Sequence, residues 1–412
     1  MCKENSLAMQ MSLGRLYELS GDDKSDSPIT PELHKPNDFY GHATILKKYA
    51  NYPPKYQIKA AIEHAPSNGI MGWDLDINSE LPAIFVWTTT RYPVLAKQTQ
   101  KALFSIGPLL KYAPDFLDHD QTEAEKKRLG KNLLVFPSHS THHINTDFDI
   151  HAYCEHIEKL GKEFHTIRIC FYWKDILRGK AQEFMKHGFE CVTAGHMFDP
   201  LFLPCLKSII EVSTITSSNS AQTHVGYCIL MEKPHYIFRF NAKSAGIGKI
   251  GKANLSRGVK GDKSAKEISA AFSEFRDDIT PGQIDVVDRY WGASEFKTKE
   301  EIRLLFSITE DMYTRSREYF LGDRHPMISQ IIDYLNQNRN EKALFLTEQA
   351  RKRYPDINEL NYGRALALVR LGKIVQAKET LEKLLSLVPE HRKANQLLRD
   401  IEPKFRSICH DL

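Results

Sequence analysis

No stretch of this chain approaches the roughly 18 uninterrupted apolar residues that a membrane-crossing helix needs. The opening residues, MCKENSLAMQMSLGRLYELS, lack the apolar core of a secretory signal, so the expected location is cytoplasmic. Cysteine is sparse and widely spaced: Cys2, Cys154, Cys170, Cys191, Cys205, Cys228 and Cys409 make seven, with no CxxC. That argues against a disulfide framework or zinc ribbon, and for free thiols in a reducing compartment. An excess of one charge is missing as well. Lys+Arg is 56 and Asp+Glu is 52, a net of +4, and a dedicated nucleic-acid binder carries a larger, clustered excess. With 42% apolar and 26% charged residues, the composition excludes a fibrous or wholly disordered chain.

What is present predicts order in blocks. The 412 residues suggest two domains plus an appendage, at about 100–200 residues per domain. Residues 1–37 contain GDDKSDSPITPELHKPND and are expected to be a flexible lead-in. A first globular block, 38–125, holds KYQIKAAIEHA and PAIFVW, both read as containing strands. It also holds PVLAKQTQKALFSIG, read as an amphipathic helix ending at Gly107. The charged DHDQTEAEKKRLGKN is a linking helix.

The second block, 126–322, alternates regularly. KNLLVF, TIRICFYW, FECVTAGH, EVSTITSSN and PHYIF read as strands, and helical segments separate them. Among those helices, KDILRGKAQEFMKHG is expected to be a single one. Strands alternating with helices imply βαβ units and a parallel, Rossmann-like sheet of five strands between about 131 and 240. RFNAKSAGIGKIGKANLSRGVKGDKSAKE follows, with eight Lys/Arg, two acids and five glycines. It is expected to be a solvated flexible loop, with contact to a lipid pyrophosphate or anionic saccharide through its charge as the functional alternative. Its GxGKxGK does not match a Walker A loop in spacing. Residues 265–322 are expected to be helical. The tail, 323–412, has the small-residue and leucine pattern of tetratricopeptide (TPR) units. Two units are fewer than usually stand alone, so the tail is expected to lean on the body.

The candidate chemistry sits at strand ends. Ser217, Ser218, Asn219 and Ser220 close one strand and precede a helix containing Thr223, where free N–H groups and the helix dipole favour an anion. The bland alternative is a plain N-cap. Ser138 and His139, in FPSHSTHH, close the first strand of the same sheet, and His139 could donate to a leaving phosphate. His142 and His143 are read as surface residues, since no zinc spacing is present. His196 closes the third strand and would line the same edge, or serve as a turn residue. In open α/β sheets ligands bind at the carboxyl ends of the strands.

FPSHS followed about 80 residues later by TSSNSAQTHVGYCILMEKPHYIF resembles the bacterial glycosyltransferases of capsule and lipopolysaccharide assembly, in their sialyltransferase-like and Kdo-transferase-like groups. The two-block layout is similar to GT-B enzymes. The resemblance implies an α/β fold with two Rossmann-like lobes facing a cleft, followed here by an all-α TPR-like region. It implies a sugar moved from a nucleotide-activated donor to a surface polysaccharide or lipid-linked glycan. His139 and the Ser217/Ser218 pair match the positions that hold the donor phosphate in those groups. The resemblance favours a CMP-sugar donor; because His139 is followed by Ser140 and not by Pro, UDP and GDP stay open as the nucleotide. In the first lobe, Glu63 and His64 are candidates for taking the acceptor's proton, with a solvated charge and a helix cap as their bland readings. Arg91 is a candidate for holding an acceptor carboxylate or phosphate. Asp74 and Asp76 in GWDLD are read as loop acids. The resemblance implies no resident cofactor or metal, no nucleic acid, a peripheral membrane contact, and a protein partner for the tail. A silent nucleotide-sugar-binding scaffold and a nucleotide-sugar epimerase are the competing readings.

Overall fold

Short apolar runs form two separate parallel sheets in the computed structural model, which describes residues 11–21, 31–66, 72–248, 252, 263–316, 326–355 and 357–410. The first sheet has three strands, β1 (Ala60–Ile62), β2 (Ala83–Val86) and β3 (Ala102–Ser105), in the order β1-β2-β3. Every residue in them is buried, as a parallel sheet covered on both faces requires. Phe85 and Phe104 feed the main core, whereas Ile84, Val86 and Leu103 pack on the other side with Tyr92 and Leu95.

The second sheet has five parallel strands: β4 (Asn132–Phe136), β6 (Thr166–Cys170), β7 (Glu190–Val192), β8 (Ile215–Ser218) and β9 (His235–Ile237). Their order is β7-β6-β4-β8-β9. The chain therefore runs outward from β4 to β7 and returns to start again at β8. The strand order reverses between β4 and β8, where Val135 lies opposite Ser217 and Phe136 opposite Ser218. That reversal is the place where open α/β sheets offer a ligand crevice. A separate ribbon pairs β5 (Ile144–Asp147) antiparallel with β10 (Lys243–Gly246).

Close backbone approaches join the two halves. Gly41 has φ 73, and a Cβ there would lie 2.3 Å from the Pro200 carbonyl oxygen. Gly292 has φ 71, and a Cβ would lie 2.2 Å from the Trp87 carbonyl oxygen. The Tyr40 N–H donates to the Met197 carbonyl at 2.6 Å, and the Trp87 and Tyr227 rings stack at 5.8 Å. The C-terminal helices lean on this body. Tyr334 and Lys342 both reach Asp311, at 2.9 and 2.7 Å, and the Arg353 guanidinium donates to the Lys101 and Thr99 carbonyls.

Several expectations change. Part of the lead-in is ordered: Leu13–Ser20 is a helix with Leu16 and Leu19 buried. Lys47 pairs with buried Glu32 at 2.7 Å, and His34 with Asp76 at 2.8 Å. The helix expected over PVLAKQTQKALFSIG is one turn, Tyr92–Leu95, followed by β3. A four-residue apolar run fits a buried strand as well as a helix, and here the sheet claims it. The helix expected over KDILRGKAQEFMKHG is two, Trp173–Leu177 and Lys180–Lys186, broken where Gly179 takes φ 80. Residues 243–246 of the basic segment are a strand, paired with β5. Residues 249–251 and 253–262 of that segment, residues 22–30 of the lead-in and the expected boundary near 322 lie outside the described residues.

Candidate functional site

A cavity of about 350 Å³ opens between the two sheets, within the usual range for a small-molecule site. Its first-lobe wall carries Tyr40, His42 and the loop His64–Pro66 that follows β1. Its second-lobe wall carries Phe136, Pro137 and His139 after β4, Tyr172 after β6, and Gln222, Thr223 and His224. Among the described lining residues none is Lys, Arg, Asp or Glu.

The FPSHS loop is held from beneath. Asp175 is buried and its carboxylate accepts the Ser140 N–H at 2.7 Å and the Ser140 hydroxyl at 2.8 Å. Lys180, also buried, pairs with the same carboxylate at 2.8 Å. The Ser138 N–H donates to Asn219 Oδ1 at 2.7 Å, tying this loop to the one after β8. His139 is left facing the cavity, with its ring 4.6 Å from that of Tyr172. Burial holds its imidazole below the usual histidine range, opposed by Asp175 and by the nearby Gln222 side chain.

Ser217 and Ser218 do not face the cavity, contrary to expectation. Both are fully buried within the sheet. The Ser217 hydroxyl donates to the Tyr236 carbonyl at 2.9 Å. The Ser218 hydroxyl donates to the Ser220 carbonyl at 2.9 Å and lies 3.0 Å from His235 Nε2. These side chains join β8 to β9, and Asn219 joins loops. The features that favour an anion lie a few residues further on. Helix Thr223–Leu230 starts without a side-chain cap, and its first residues line the cavity. No described protein group accepts from the Gln222, Thr223 or His224 N–H. Buried Ser220 Oγ, Gln222 Oε1 and His224 Nε2 have no hydrogen-bond partner among the described residues. Gly226 lets this helix press on Trp291, where a Cβ would fall 2.4 Å from the indole. That indole donates to the Thr223 carbonyl at 2.9 Å.

The first-lobe candidates separate. His64 lines the cavity, its ring 4.5 Å from that of Trp73, and burial lowers its pKa. Glu63 does not line it. Its carboxylate accepts from Arg91 Nε at 2.9 Å, and its carbonyl accepts from Trp87 Nε1 at 2.7 Å. Burial pushes the Glu63 carboxyl up to about 7 against the pull of Arg91. Arg91 is only 3% exposed, so the residue expected to meet an acceptor is instead buried beside Glu63. His196 is likewise buried, packed 4.3 Å from the Trp173 ring, while Ala194 lines the cavity in its stead. Asp76, read as a loop acid, is buried against His34.

Sequence reasoning passed over His42, His224, Tyr40, Tyr172 and Gln222. His224 lies in the apolar run HVGYCIL and resembles core; its ring stacks on Phe136 at 4.4 Å. His42 opens helix His42–Tyr49 without any phosphate-loop pattern. Burial pulls His42 down to about 3, and His224 well below the ordinary value. No protein-family model matches the chain, and no curated protein matches it.

Proposed function

We propose that the protein is a glycosyltransferase of the GT-B kind, moving a sugar from a nucleotide-activated donor to a glycan or lipid-linked acceptor. One observation carries the reading: the reversal point between β4 and β8 opens onto a cleft whose opposite wall is the end of a second parallel sheet. The donor phosphate sits on the uncapped start of helix Thr223–Leu230, where free N–H groups and the helix dipole stabilise negative charge. His139 donates to the phosphate as charge develops on it. His64 takes the proton of the acceptor hydroxyl, a role suited to an imidazole that burial keeps unprotonated. Glu63 and Arg91 act by fixing the strand end that presents His64. The three helices Asn340–Arg353, Asn358–Arg370 and Ile374–Leu387 are TPR-like in this reading and offer a surface to a protein partner.

The test is calorimetric titration of the full-length protein with CMP, UDP and GDP, and with their sugar conjugates, followed by product analysis. One nucleotide family is expected to bind, and His139→Ala to lower transfer about 10²–10³-fold. Absence of binding by all three nucleotides overturns the reading. Conversion of the donor sugar without any acceptor makes the protein an epimerase.

A further inference from the structure

The first-lobe half of the cleft has its own chemistry. His42 is 1% exposed, lines the cavity, and its Nδ1 has no hydrogen-bond partner among the described residues. Beside it, the Tyr40 ring lies 5.5 Å from that of His42. The Tyr40 hydroxyl lies 3.1 Å from the Tyr172 hydroxyl, which comes from the other lobe.

We propose that the sugar handled in this cleft carries no charge, and that His42 and the Tyr40–Tyr172 hydroxyl pair are its hydroxyl contacts. This rests on the glycosyltransferase reading and names its substrate class. A buried imidazole nitrogen and two phenols match a sugar hydroxyl, which both donates and accepts, whichever tautomer His42 adopts. A carboxylate only accepts, and would lose its hydration among lining residues that include no described Lys or Arg. Arg91, the nearest sequence candidate for such a charge, is buried beside Glu63. The start of helix His42–Tyr49 does not replace it. The His42 N–H is already spent on the Asn37 and Phe39 carbonyls of the preceding turn. The phosphate has the uncapped helix of the opposite wall, and among the described residues the sugar end has no equivalent.

Matched donors test this with the full-length protein: UDP-glucose against UDP-glucuronate, GDP-mannose against GDP-mannuronate, and CMP-N-acetylneuraminate, each beside its free nucleotide. The neutral conjugate of the bound nucleotide is expected to bind at least tenfold tighter than its acid counterpart. His42→Phe, which keeps the ring volume, is expected to bring that conjugate down to the affinity of the free nucleotide. His42→Asn serves if the phenylalanine variant does not fold, and the wild-type comparison stands without either. Equal or tighter binding of a uronate or of CMP-N-acetylneuraminate overturns the proposal and leaves the glycosyltransferase reading intact. Failure of every free nucleotide to bind overturns both.

Discussion

Each wall of the cleft is backed by a buried ion pair, and the two pairs are built differently. Under the second-lobe loop, the Asp175 carboxylate accepts from a backbone N–H, a hydroxyl and the Lys180 ammonium, all within 2.8 Å. Under the first-lobe loop, one Glu63 oxygen meets Arg91 Nε, and the other, Oε2, is buried without a hydrogen-bond partner among the described residues. A buried pair is favourable only when its remaining hydrogen-bonding capacity is filled. The Asp175 pair meets that condition. The Glu63 pair leaves Oε2 unmatched, and burial, reinforced by the nearby Asp76, displaces its carboxyl upward against the pull of Arg91. The charges of this site thus lie beneath it, and the surface presented to a ligand is uncharged among the described residues.

The largest effect is expected where the pair is complete. Asp175→Ala takes the nearest carboxylate from buried Lys180, leaving it Asp147 at 3.8 Å and the Thr146 carbonyl, and frees the Ser140 backbone; it should cost about 3 kcal/mol, the lower end of the usual penalty for breaking one side of a buried pair. Urea unfolding monitored by tryptophan fluorescence measures it. The double variant Asp175→Ala/Lys180→Met should recover much of the loss, because no isolated charge remains. A single-variant cost under about 1 kcal/mol would mean that the loop does not depend on the pair.

The incomplete pair should respond to pH instead. Folded Glu63 binds a proton up to about 7, whereas an ordinary glutamate side chain releases it near 4.5. The folded state therefore holds more protons across that window, so Glu63's contribution is full below 4.5 and is lost as pH rises through 7. Glu63→Gln, which does not titrate, should gain on the wild type by roughly 3 kcal/mol between pH 4.5 and pH 8. Unfolding midpoints at the two pH values give the difference directly. A pH-independent difference would show that Glu63 is ionised throughout.

The contrast also explains what could be read in advance. Strands β4, β6 and β8 were plain because NLLVF, TIRIC and ITSS sit between turns and helices with regular spacing. From that rhythm the five-stranded parallel sheet and the edge bearing His139 followed. β3 was not, because ALFS has too few residues to show a period. β10 was not, because all but one of its residues are exposed and its only structural reason is β5, about a hundred residues earlier in the chain. For the site, residue type indicated chemistry but not direction. Glu63 and His64 are neighbours in sequence, yet only His64 lines the cavity. Consecutive positions near a strand end point to opposite sides, and which side is the cleft depends on the other lobe. His42 and Tyr40 reach the cavity because Gly41 lets the chain approach Pro200, a long-range contact that no local pattern encodes.

The smallest effect concerns Ser217 and Ser218, whose hydroxyl character first suggested the phosphate site. Their positions predict a structural role. Replacing both by alanine removes the donor to the Tyr236 carbonyl and the hydroxyl beside His235 Nε2. Burial holds that imidazole at about 3, so protonation does not provide a replacement contact at neutral pH. Hydrogen bonds of this kind contribute about 1 kcal/mol each, and a buried partner left unmatched costs about 1–3 kcal/mol. The double variant should therefore lose about 2 kcal/mol of stability, seen as a lower urea midpoint. Nucleotide affinity should change little, because the donor phosphate in our reading meets the Gln222–His224 backbone and not these hydroxyls. The discriminating measurement is the pair of quantities together. A lower midpoint with unchanged affinity places the serines in the sheet joint, whereas an unchanged midpoint with affinity reduced tenfold or more would return the phosphate to them.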